Sequence, residues 1–101
     1  MIHVQLISRN GTSLQALIRN AIAEGQIKSF ETAKVVGGLR ISHKKHPGVI
    51  NIEKSKGPLL ATITCNNPER EWQLLEAFVG RVAYHFSNDV AAINVQFEAR
   101  D

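Results

Sequence analysis

The residues best suited to chemistry in this chain are Ser8-Arg9-Asn10-Gly11-Thr12-Ser13, where an alternating apolar run meets a helix-like segment. Free backbone N–H groups at a helix N-terminus, two hydroxyls and a guanidinium are the donors that a phosphate or carboxylate takes. Arg9, Gly11, Thr12 and Ser13 are therefore candidate anion-binding residues. The competing reading is an ordinary turn in which Thr12 caps the helix. A second set, Arg40, Lys44, Lys45, Lys54 and Lys56, lies on or beside two strand-like runs, with His43 and His46 among them. Cations concentrated on a hairpin contact nucleic-acid phosphates, or else they guard an edge strand against pairing with another chain.

Other chemistries find less support. His43 and His46, with Cys65 or His3, lack the four-ligand spacing of a structural zinc site. No Gly-x-Ser-x-Gly elbow occurs, and Cys65 sits in an alternating apolar run where a lone cysteine packs as a small hydrophobe. Glu69, Glu71 and Glu76 are expected on the exposed arc of a helix, and no pair of carboxylates is placed for acid–base work. No cofactor is implied. The aromatics Phe30, Trp72, Phe78, Tyr84, Phe86 and Phe97 lie mostly in helical stripes, which leaves the middle strands without rings to stack on bases.

The stretch from Ile7 to Ile18, Ile-Ser-Arg-Asn-Gly-Thr-Ser-Leu-Gln-Ala-Leu-Ile, resembles the first strand, phosphate loop and first helix of glycinamide ribonucleotide formyltransferases. That family carries a glycine where this chain has Arg9, and a histidine where Val49-Ile50-Asn51-Ile52 is followed by Glu53. The chain is also about half the length such a parallel-sheet domain needs. The resemblance implies an anion loop and not the family's activity.

The elements that position these groups follow from periodicity. Ile2, Val4 and Leu6 alternate with His3, Gln5 and Ile7, as in a strand with one buried face. After Asn10-Gly11, Thr12 with Gln15 reads as a capping box, and Leu14, Leu17, Ile18, Ala21 and Ile22 make one helical stripe that Gly25 stops. Residues 26–34 resist assignment, with Ile27 and Phe30 as anchors. Three strand-like runs follow, Leu39 to His43, Val49 to Lys54 and Leu59 to Cys65, broken by Pro47-Gly48 and Gly57-Pro58. Ile50 and Ile52 alternate with Asn51 and Glu53, so one sheet face is expected to be wet. Asn67-Pro68 starts a second helix with a stripe of Trp72, Leu75, Val79, Val82 and Phe86, widened by Leu74 and Phe78. Gly80 within it suggests a close approach by the sheet or by a second subunit. A last strand holds Ile93, Val95 and Phe97.

The expected architecture is a single α+β domain over residues 1–101, a two-layer sandwich with a mainly antiparallel sheet and two helices on one face. The order is ferredoxin-like β-α-β-β-α-β or a variant with an extra strand. With 44% hydrophobic residues the chain can fill one core. No apolar run approaches the roughly 20 residues of a membrane span, and the start lacks a signal-peptide pattern, so a cytoplasmic location without membrane contact is expected. The formal charge of +3 is uneven, since Arg40 to Pro58 carries five Lys/Arg against one Glu. The function expected is a non-catalytic binding or interaction module, a homodimer through the sheet or its edge, whose ligand is a small anion or a partner protein. The alternatives are a nucleic-acid binder using the basic hairpin and an enzyme acting on a phosphorylated metabolite.

Overall fold

The computed structural model describes residues 1–53 and 57–98. Along the chain it forms β1 (Ile2–Ser8), α1 (Leu14–Ala23), β2 (Phe30–Val35), β3 (Gly38–His43), β4 (Val49–Glu53), β5 (Leu59–Thr64), α2 (Pro68–Phe86) and β6 (Val90–Phe97). The strands make one sheet in the order β2-β3-β4-β5-β1-β6, with every neighbouring pair antiparallel.

Register explains the single core. Ile2 lies opposite Ile63, Val4 opposite Ala61 and Leu6 opposite Leu59, while Ile50 and Ile52 of β4 face Ile41 and Leu39 of β3. Strand side chains alternate with period two, so these residues share one face. Leu14, Ile18 and Ala21 of α1 and Leu74, Phe78 and Val82 of α2 join them in one buried cluster. Both helices therefore cover the same side of the sheet. The opposite face carries His3, Gln5, Arg40, Asn51, Thr62, Asn94 and Gln96, and among the described residues no helix lies over it.

The strand order differs from the four-stranded ferredoxin-like pattern. The middle of the chain forms four strands instead of two, because Gly48 and the Gly57-Pro58 break separate β3, β4 and β5, and β2 pairs with β3 through the turn at Val36-Gly37. The unassigned stretch thus holds a strand. In β2 only Phe30 is buried, so Phe-Glu-Thr-Ala-Lys-Val shows no alternation to read. Among the described residues no helix is long and apolar enough to cross a membrane.

Candidate functional site

At the expected anion loop, α1 starts one residue later than the capping-box pattern suggests. Ser13 is the N-cap, its hydroxyl oxygen accepting from the Ala16 N–H at 3.3 Å, and Gly11 takes the left-handed conformation that lets the chain turn off β1. Gly11, Thr12 and Ser13 line a hollow of about 340 Å³. Arg9 points elsewhere: its Nη2 donates to the Val90 carbonyl at 3.0 Å and its backbone N–H to the Asp89 carbonyl at 2.8 Å. The cation of the expected site is thus tied to the start of β6, and the hollow is walled instead by Glu53, a carboxylate that opposes an anion.

Arg40 lies on the helix-free face, where its Nε donates to Asn51 Oδ1 at 3.2 Å. Lys44 and Lys45 are exposed in the β3–β4 turn, at the opposite end of β4 from Glu53. Lys54 and Lys56 lie outside the described residues. The turn is held by His43, whose Nδ1 accepts from the Lys45 N–H at 3.0 Å and the His46 N–H at 3.2 Å. Its ring meets Phe30 edge-on at 4.8 Å. Burial, and after it the charges of His46, Lys45 and Arg81, pushes the His43 pKa below its ordinary 6.5. Among the described residues no cluster of three His, Cys, Asp or Glu side chains is placed to hold a metal ion.

A different surface carries the feature that sequence reasoning missed. Trp72 is 58% exposed, not buried, and stacks on Phe97, itself 50% exposed, with ring centroids 4.6 Å apart and planes within 19°. The inward stripe of α2 is Glu71, Leu74, Leu75, Phe78, Val82 and Phe86, which turns Trp72 to the flank. Glu71, expected on the outer arc, is instead 4% exposed and meets the Met1 amino group at 2.8 Å. A stripe centred on Phe78 and Val82 would have signalled this phase, at the cost of placing a carboxylate inside. A cation brought from elsewhere helps make that placement tolerable.

The chain matches no family model, no curated protein and no solved structure. The site therefore rests on geometry alone. Beside the aromatic pair runs β6, an edge of the sheet whose eight residues, Val-Ala-Ala-Ile-Asn-Val-Gln-Phe, include no charge and no proline. Its core-facing Ile93 and Val95 are only partly buried. The other edge, β2, presents Glu31 and Lys34 to solvent.

Proposed function

We propose that this chain is a non-catalytic interaction module that docks a protein partner on the flank formed by Trp72, Phe97 and the outer side of β6. The observation that carries the reading is the stacked pair itself. Two large aromatic side chains held against each other at the surface offer rigid apolar area at little conformational cost, the character of residues that dominate binding energy at protein interfaces. The partly covered Ile93 and Val95 extend the apolar area along the strand.

We also read β4-β5-β1-β6 with α1 and α2 as a ferredoxin-like unit, widened at the β4 side by the β2–β3 hairpin. The order of connection along the chain supports this reading. It leaves β6 as the edge that the hairpin does not extend.

A photo-crosslinking amino acid at position 72, expressed in the native host, tests the docking flank. Tyr84, 77% exposed on the same helix and lining a hollow with His46 and Gly80, is the control position. Discrete protein adducts are expected from position 72 and not from position 84. Absence of adducts at 72, or the same adducts at both, would remove the flank as a docking site.

A further inference from the structure

We propose that the partner docked on this flank is a second copy of the chain, joined by antiparallel pairing of β6 with β6 across a two-fold axis into one continuous sheet. The inference rests on the docking reading above and names its occupant.

Four observations lead to it. First, β6 is the longest strand of the sheet, at eight residues against five to seven for the others, and it stands at an edge. Edges of monomeric proteins are kept short or guarded by charge, proline or a cover, because their free N–H and C=O groups recruit other strands. β2 is guarded in this way by Glu31 and Lys34, whereas the eight residues of β6 hold neither charge nor proline.

Second, antiparallel pairing of a strand with its own copy is self-complementary, so one surface supplies both halves of a closed dimer. Third, charge favours this edge over the other. Lys28, Lys34, Arg40, Lys44 and Lys45 lie on or beside β2 and β3, at the far side of the sheet from β6. In a chain of formal charge +3, joining copies at β6 keeps these cations far apart, whereas joining them at β2 would press them together.

Fourth, bulk is distributed asymmetrically along the strand. The C-terminal end carries Phe97, stacked under Trp72, and the N-terminal end carries the small Ala91 and Ala92. Antiparallel pairing sets the aromatic stack of each copy beside the N-terminal end of β6 in the other. On α2, Val79 and Ala83 follow Trp72 at helical spacing.

Sedimentation of the purified full chain is the test, with Asn94→Lys as the main variant. Asn94 is exposed near the middle of β6, where its Nδ2 donates to Gln5 Oε1 at 2.9 Å, and it places like charges close together only when two β6 strands pair. The native chain is expected to sediment as a dimer. Asn94→Lys should keep the native circular dichroism and associate at least about tenfold more weakly. Mixing Asn94→Lys with Asn94→Glu should restore association, which separates charge repulsion from misfolding. Gln96→Lys provides a second variant on the same face.

A native dimer that both lysine variants leave intact would overturn the inference, placing the contact elsewhere. A monomeric native chain that still crosslinks from position 72 to another protein would overturn it too, while leaving the docking flank standing. A monomeric chain with no adduct from position 72 removes both.

Discussion

Trp72 and Glu71 are neighbours on one helix, and the structure assigns them the opposite places from those their chemistry suggests. The carboxylate is inside, where the Met1 amino group meets it, and the indole is outside, where Phe97 stacks on it. A buried tryptophan truncated to alanine loses about 3–5 kcal/mol. At 58% exposure, Trp72→Ala should cost below about 1 kcal/mol in urea denaturation, and native emission should be red-shifted as for a ring in water. A loss above about 3 kcal/mol would show that the stack seals the core.

His43 makes a second residue-scale case. Its Nδ1 can accept the Lys45 and His46 N–H groups only while unprotonated. Since its folded pKa lies below the ordinary value, the unfolded chain binds the proton first as pH falls. The stability it contributes is complete above about pH 6.5 and is lost as the pH drops through the folded pKa. Melting temperature should therefore fall on going from about pH 7.5 to about pH 5.5, and His43→Phe should flatten that decline. An unchanged slope would show that His43 does not hold the turn.

At the scale of elements, two glycines that look alike in sequence have opposite roles. Gly38 opens β3 against β4 so closely that a Cβ there would strike the Ile52 carbonyl oxygen. Gly38→Ala should cost at least about 2 kcal/mol by forcing β3 away from β4. Gly80, in mid-α2, has nothing within 4 Å of where a Cβ would sit. The close approach by the sheet expected at Gly80 is not present. Gly80→Ala should stabilise the chain by up to about 1 kcal/mol through helix propensity. Denaturation midpoints at unchanged slope would report both. Destabilisation by Gly80→Ala would mean that something approaches the exposed hollow between His46 and Tyr84.

The same scale shows why β2 was not legible. A strand is recognised by alternation, and alternation appears only where one face is buried along the strand's length. Beyond Phe30, β2 runs past the cover of the core, so Thr32 and Lys34 on its core-facing side stay exposed. β1, β4 and β5 lie within that cover and show the pattern clearly.

For the whole molecule, the decisive property is how charge is distributed over the sheet. Cations gather on the β2–β3 side, while β6 is neutral. Any polyanion should therefore be met by Lys44 and Lys45 at the β3–β4 turn. The double change Lys44→Ala and Lys45→Ala should release the chain from a heparin column at lower salt, whereas Trp72→Ala should leave the elution point unchanged. Equal elution of native chain and lysine variant would disconnect the turn from polyanion binding. Self-association and polyanion contact would then occupy opposite ends of one sheet.

The amino-acid pattern by itself determined the two helices, the alternation of β1, β3, β4 and β5, and the polar helix-free face, because each is set by side chains within a few residues of one another. Only the tertiary structure decided the strand order, the exposure of Trp72 and the turn of Arg9 away from the anion loop. Each of these depends on groups far apart in the chain: the Met1 amino group on Glu71, the Val90 carbonyl on Arg9, Phe97 under Trp72. Local periodicity says that a helix has an apolar side. Which residue lies at the margin of that side is settled by what the sheet brings against it, and here the packing of Leu74, Leu75, Phe78, Val82 and Phe86 turns α2 so that its largest apolar side chain faces out.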